Sequence, residues 1–186
     1  FKIAGNFQPS FEGAEFQKVS GEVTLNFDGL KVNMPGTFSK GDSVPAHANL
    51  SFEASPKHAN LKSLKVVFYN AELDAKCNVQ NLDQPTVDLT VQSNQIALSG
   101  WDKILVPLKG FDLGGSVELN AQAKGPTANL NYQADVQFKD WTFEAPQLKA
   151  KPVVKGHIRL QTDELRELWV QLKAPKNNLE LKANVK

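Results

Sequence analysis

Apolar and polar residues alternate along most of this chain, and the longest alternation lies in residues 114–146. Apolar residues occupy every second position over 117–123, and after Gly125-Pro126 the alternation resumes over 130–138. Because successive residues of a strand point to opposite faces, this pattern predicts a hairpin of two long strands with one apolar and one solvated face. Two strands cannot cover such a face by themselves, so the function depends on what covers it.

Shorter alternating runs flank this hairpin and predict about a dozen strands joined by tight connections. Asp28-Gly29 separates two of these runs, and Asp-Gly in that position predicts a second hairpin. A Gly-x-(Val/Ile)-x-Leu pattern recurs at Gly21, Gly115 and Gly156. Its recurrence predicts that three strands begin with the same local chemistry.

One segment has the spacing of a helix. Trp101, Ile104, Leu105 and Leu108 fall at i, i+3, i+4 and i+7, and Gly110 follows as a stop signal. This spacing predicts a short amphipathic helix of three turns at most, packed against one end of the sheet.

The composition agrees with a large sheet that has one solvated face. The chain has 186 residues, of which 41% are apolar, somewhat below the ~45–50% usual for globular proteins. The net charge of +1 comes from 21 basic and 20 acidic residues mixed along the chain, so we expect no nucleic-acid partner. We expect an all-β fold over residues 1–186, either a single domain or a fragment of a longer protein.

Two features bear on the location of the protein. The longest strongly apolar run, residues 104–108, is far shorter than the ~18–20 residues needed to span a bilayer. The chain begins with Phe1 rather than Met, so we expect an excised piece whose anchor or targeting signal lies elsewhere. The single cysteine, Cys77, excludes an internal disulfide framework and is expected to be a buried structural thiol.

The sequence contains no group of side chains with the spacing of a catalytic or metal-binding site. His47, His58 and His157 are widely separated, and the motifs of serine hydrolases, zinc proteases and phosphate-binding loops do not occur. Trp141 and Trp169 leave a sugar-stacking platform open as an alternative. The sequence predicts no catalytic residues, no metal site and no cofactor, and therefore a protein that is not an enzyme.

The apolar side of the strands is then the informative feature. It mixes large residues with small ones such as Ala121, Ala123 and Ala134. The small residues would underfill a closed core, but they suit a strongly curved sheet with a hydrophobic groove. The alternative explanation for the many alanines is that they lie near the ends of the sheet or beneath the predicted helix. The residues predicted to line the groove are Val23, Leu25, Leu50, Phe52, Val66, Phe68, Leu89, Val91, Leu119, Tyr132, Val136, Phe138, Ile158 and Leu160.

The order of these features resembles the C-terminal part of AsmA-like proteins, the AsmA/TamB group of bacterial inner-membrane-anchored periplasmic proteins. The resemblance covers about residues 19–185. It is carried by Gly21-Glu-Val-Thr-Leu25 through Pro45 to Phe52, the strand 85–91, the short helix ending near Leu108, Gly115-Ser-Val-Glu-Leu119 to Lys124-Gly125-Pro126, the return strand to Phe138, Pro146-x-Leu148, and Gly156-His-Ile-Arg-Leu160.

The resemblance implies a long, curved β-sheet with a hydrophobic groove, implicated in phospholipid transport between inner and outer membranes and in envelope homeostasis. It implies a periplasmic location, a phospholipid or other acyl-chain ligand, and membrane contact through parts of the protein outside this chain. It identifies no envelope protein partner and carries no catalytic residues. A closed β-sandwich or barrel for protein interaction or carbohydrate binding is the alternative hypothesis, and a hydrolase with a scattered site is a third.

Overall fold

The computed structural model describes residues 2–12, 15–144, 152–162, 164–174 and 177–185. The described part of the chain is all-β, as predicted, and the Pro146-x-Leu148 stretch lies outside it. The strands are β1 (Lys2–Glu12), β2 (Glu15–Asn26), β3 (Val32–Met34), β4 (Phe38–Lys40), β5 (Ala46–Ala54), β6 (His58–Phe68), β7 (Ala71–Gln80), β8 (Thr86–Ser93), β9 (Ile96–Ala97), β10 (Asp112–Pro126), β11 (Asn131–Glu144), β12 (Val153–Gln161), β13 (Glu164–Ala174) and β14 (Asn177–Val185).

One antiparallel sheet contains all of these strands except β3 and β4. Its order is β1-β2-β5-β6-β7-β8-β10-β11-β12-β13-β14, and the short β9 pairs with β10. Since β1 and β14 stand at opposite ends of this row, the sheet is open and does not close into a barrel. The closed sandwich or barrel of the alternative hypothesis is therefore wrong for the described strands, whereas the strong curvature stays a prediction.

The long central hairpin is confirmed. β10 and β11 contain 15 and 14 residues, and their pairing runs from Asp112 opposite Glu144 to Lys124 opposite Asn131. A 3-10 turn at Thr127–Asn129 reverses the chain directly after Gly125-Pro126. The alternation therefore predicted both strands, and the structure adds their register.

The hairpin predicted at Asp28-Gly29 is wrong, because β2 pairs with β5 rather than with β3. Asp28 Oδ1 accepts a hydrogen bond from the Ala46 amide at 2.6 Å and lies 3.1 Å from His47 Nδ1. The Ala46 amide and then His47 lower the pKa of the Asp28 carboxyl. Asp28 thus connects the end of β2 to the start of β5, and the turn leads the chain out of the sheet.

The predicted amphipathic helix is replaced by two 3-10 turns, Trp101–Lys103 and Val106–Leu108. Leu105 between them is extended, with φ −93° and ψ 103°. Pro107 explains the interruption, because it has no N–H to bond to the Lys103 carbonyl and its ring would clash with that carbonyl in an α-helix.

These two turns and the β3–β4 hairpin form a small unit, which we call the cap. The Ser39 amide donates to the Ile104 carbonyl at 2.8 Å, and the Val106 amide donates to the Thr37 carbonyl at 3.1 Å. Ile104, only 2% exposed, is the one large side chain among the described residues that is fully buried. The cap therefore contains the most deeply buried apolar residue of the described chain.

Aromatic rings dock the cap on one end of the inner strands. The Phe68 ring of β6 lies 5.7 Å from the Phe38 ring and 6.0 Å from the Trp101 ring, measured between centroids. Lys40 is also buried, and its ammonium donates to the carbonyls of Asp28 at 2.8 Å and Leu30 at 2.9 Å. Bonded in this way, the buried charge is stabilised without a carboxylate.

The described residues place no second layer on the rest of the sheet. Apart from Ile104, Ala46 and Ala123 are the only buried apolar residues in the described part of the chain. The accessible surface is 12175 Å², whereas a compact protein of 20.5 kDa exposes about 8,900 Å². The excess follows from a sheet with both faces open over most of its area.

The three glycines of the recurring pattern do not share one role, so that prediction is wrong. Gly21 and Gly156 lie inside β2 and β12, and Gly115 lies at the bulge where the β10–β11 register shifts. Gly115 has a φ of +85°, which side chains rarely adopt. A Cβ on Gly156 would collide with the Trp169 carbonyl of the neighbouring strand.

Candidate functional site

Antiparallel pairing carries one set of side chains across the whole sheet. Residues directly opposite each other on neighbouring strands point to the same face. From Ala75 in β7 the pairs run to Val91, Ala121, Ala134 and Leu160, in β8, β10, β11 and β12. The same tracing connects β1 to β14. We call this side of the sheet the apolar face and the other side the polar face.

All fourteen residues predicted to line a groove lie on the apolar face. Val136 in β11, for example, is opposite Leu119 on one side and Ile158 on the other. The full set is Val23, Leu25, Leu50, Phe52, Val66, Phe68, Leu89, Val91, Leu119, Tyr132, Val136, Phe138, Ile158 and Leu160. Their shared face is a structural result, and their role in binding stays a prediction.

None of these fourteen side chains is buried. Twelve are half-buried, and Tyr132 and Leu160 are 37% and 40% exposed. Each has neighbours on the same face, which cover it only in part. The apolar face is therefore a large surface that remains available for contact.

The apolar face also includes residues of strands that the predicted set omits. They follow the same alternation, so this alternation is the signal that could have identified them. These residues are Ile3 in β1, Leu73, Ala75, Cys77 and Val79 in β7, Leu165, Leu168, Val170 and Leu172 in β13, and Leu179, Leu181 and Ala183 in β14.

The chemistry of the apolar face is uniform. Among the described residues, the traced positions hold no charged side chain, and Ser93 and Tyr132 contribute the hydroxyls. The row of eleven strands extends about 48 Å at ~4.8 Å per spacing. Such a surface can bind long apolar molecules by excluding water, without fixing their position through hydrogen bonds.

Cys77 is half-buried on this face rather than buried as predicted, because no second layer of described residues covers it. It lies opposite Leu61 and Leu89. Burial by its neighbours, and then the nearby Asp88 carboxylate, raise the pKa of the thiol. Cys77 and Phe52 are among the residues that line a shallow depression of about 200 Å³ in this face.

The polar face is held by contacts between side chains on neighbouring strands. The Gln122 amide donates to Gln133 Oε1 at 3.1 Å between β10 and β11. Arg159 on β12 donates to Asp135 on β11 at 2.8 Å and to Glu167 on β13 at 2.9 Å. These contacts stabilise strand register from the solvent side, where they leave the apolar face unobstructed.

Glu53 predicts an acid-dependent loss of stability. It lies 2.8 Å from both Lys18 and Lys62, and hydrogen bonds from Lys18 and then Lys62 lower its pKa from 4.5 to about 2. A lowered folded-state pKa adds stability above 4.5 that is lost as the pH falls towards 2.

We therefore expect the urea midpoint of Glu53→Gln to lie below that of the wild type near neutral pH. The two midpoints should converge in the acid range as Glu53 becomes protonated. High salt should shrink the difference, because these groups are solvent-exposed and screened. A difference that persists unchanged into acid would contradict the ion-pair explanation.

The tryptophans do not form a common sugar-binding platform. Trp101 belongs to the cap, and Trp141 packs against Phe138 with the ring centroids 4.6 Å apart. Trp169 donates from the polar face to Glu180 Oε1 at 2.8 Å. In the described part of the chain, no three histidine, cysteine or acidic side chains are grouped to hold a metal ion. None of its helical turns is long and apolar enough to cross a membrane.

Fold and face together define a class: an open, single-layer antiparallel β-protein with one continuous apolar face and a small cap at one end. No protein-family model matches the chain, and no curated protein or solved structure shows a significant similarity to it. Any closer assignment therefore depends on the geometry of this face and on the sequence features described above.

Proposed function

We propose that this chain is a non-enzymatic lipid-binding module that holds acyl chains on its apolar face. The observation that carries the proposal is the continuous apolar face itself, which spans eleven strands and is not covered by a second layer of described residues over most of its area. Soluble monomers rarely expose contiguous apolar patches of more than a few hundred Å². A ligand with long apolar chains would remove this surface from water.

The proposal extends to the larger protein that the sequence resembles. An AsmA-like protein, anchored in the inner membrane by parts outside this chain, would use such a module in the periplasm for phospholipid transport to the outer membrane. Curvature of the sheet would turn the apolar face into a groove, and small residues such as Ala121 and Ala134, directly opposite each other, would give it room. The charge-free face would let a lipid slide along it.

The test follows from the absence of charged groups at the traced positions. Binding should depend on acyl chains rather than on the headgroup, so affinity should rise about tenfold for every two methylenes added, at ~0.8 kcal/mol per buried methylene. The measurement is displacement of a bound apolar dye by phosphatidylethanolamines of increasing chain length, below their critical micelle concentrations. The soluble headgroup, glycerophosphoethanolamine, is the matched control and should displace none.

Lipid extraction and native mass spectrometry of the purified protein give a second readout. We expect co-purified phospholipid and little effect of salt on dye displacement. Failure of the apolar dye to bind, together with consistent absence of lipid, would refute lipid binding by this chain. Equal displacement by the headgroup alone would instead indicate a polar site.

A further inference from the structure

The cap closes one end of the apolar face on the inner strands β5 to β7. Phe68, the last residue of β6, lies opposite Ala46 on this face and packs against the Phe38 and Trp101 rings of the cap. The Trp101 indole also donates to Asn70 Oδ1, in the turn before β7, at 3.0 Å. Ala46 is buried, whereas the other apolar-face positions of β5 are half-buried. An apolar chain lying along these strands would meet aromatic rings at this end.

The opposite end of the same strands opens to water. Residues 55–57 connect β5 to β6, residues 81–85 connect β7 to β8, and most of these turn residues are exposed. The turns include the charged residues Lys57 and Asp83. A charged headgroup would keep its hydration at this end, whereas at the cap end it would be desolvated against aromatic rings. The two ends of the inner strands therefore suit opposite parts of a lipid.

The distance between the two ends matches one acyl chain. Leu73 of β7 lies opposite Val66, one apolar-face position beyond Phe68, and Val79 is the last apolar-face residue of β7. The six residues from Leu73 to Val79 extend about 20 Å at ~3.3 Å each. A bilayer core ~30 Å thick contains two layers of acyl chains, so each chain extends about 15 Å. A single chain therefore fits along the strands, between the cap and the turns.

We infer that a bound phospholipid lies along the inner strands, with the ends of its acyl chains against the cap and its headgroup at the opposite turns. The inference rests on the proposed lipid binding and adds an orientation to it. A lipid lying across the strands would hold its charged headgroup over the apolar face, where the traced positions provide no charged partner. In the inferred orientation, the cap limits the length of acyl chain that the face accepts.

Photo-crosslinking of the wild-type protein tests the orientation. Two phosphatidylcholines carry a diazirine in one acyl chain, either at the terminal carbon or next to the ester, and labelled peptides are identified by mass spectrometry. The terminal diazirine should label the cap, mainly residues 101–108, whereas the ester-proximal one should label the turns at 55–57 and 81–85. Equal labelling of both regions by both probes, or the reverse pattern, would overturn the orientation but not lipid binding. No labelling by either probe would refute lipid binding itself.

Dye displacement by single-chain lysophosphatidylethanolamines tests the length limit. Affinity should rise about tenfold for every two methylenes until the chain reaches the cap, and by less than about twofold beyond that length. Trp101→Ala removes a ring that packs on Phe68, so the rise should continue to longer chains. Trp169→Ala is the matched control on the polar face and should keep the wild-type limit. A wild type without a limit, or the same limit in Trp101→Ala, would overturn the role of the cap.

Discussion

Replacing Val136 with Asp is expected to abolish the uptake of acyl-chain ligands while the sheet stays folded. Val136 lies in the middle of the apolar face, between Leu119 and Ile158, and is half-buried. Without a ligand, the new carboxylate can remain hydrated because no second layer covers it. A bound acyl chain would remove that water without supplying a hydrogen bond, which should weaken binding at least about 100-fold.

The measurement pairs dye titration with far-ultraviolet circular dichroism and thermal unfolding. Gln133→Asp is the matched control, because it places the same carboxylate on the same strand but on the polar face. It should bind the dye as the wild type does. If Val136→Asp unfolds the protein while the control stays folded, the face is sealed in solution; if both bind equally, the face is not the site.

The second large effect is expected in the cap. Ile104→Ala should destabilise the cap by about 3 kcal/mol, because it deletes buried methyl groups and leaves a cavity. Ile104 is 2% exposed, and the cap that contains it docks on the sheet through the aromatic contacts between Phe38, Phe68 and Trp101. The loss should appear first as local opening, since the cap is a separate unit at one end of the sheet.

Hydrogen exchange at two backbone amides measures this opening. The Ser39 and Val106 amides, which join the two halves of the cap, should exchange about 100-fold faster in the variant. Met34→Ala is the control, because Met34 lies in the β3–β4 hairpin of the same cap but is 55% exposed. Equal acceleration in both variants would show that Ile104 does not hold the cap together.

The sequence was most informative where the structure is most regular. All fourteen predicted residues share one face because the side-chain period of a strand is two and antiparallel pairs preserve it. The β10–β11 hairpin was predictable for the same reason, with Gly125-Pro126 marking the reversal. Each of these inferences needs only residues that are close in sequence.

The predictions that failed depended on partners distant in sequence. Asp28-Gly29 has the composition of a hairpin turn, but the side chain of Asp28 bonds to the start of β5, eighteen residues later. The apolar spacing around Ile104 resembles a helix, yet Pro107 interrupts it, and the backbone bonds to residues 37 and 39 across the cap.

Within each strand, the sequence alone determined which side chains share a face, because alternation is a local property of an extended chain. Only the tertiary structure decided that this face stays uncovered, since closure depends on whether strands at opposite ends of the order meet. It also decided where the cap docks on the sheet. These outcomes depend on contacts between residues far apart in sequence, which no local pattern encodes.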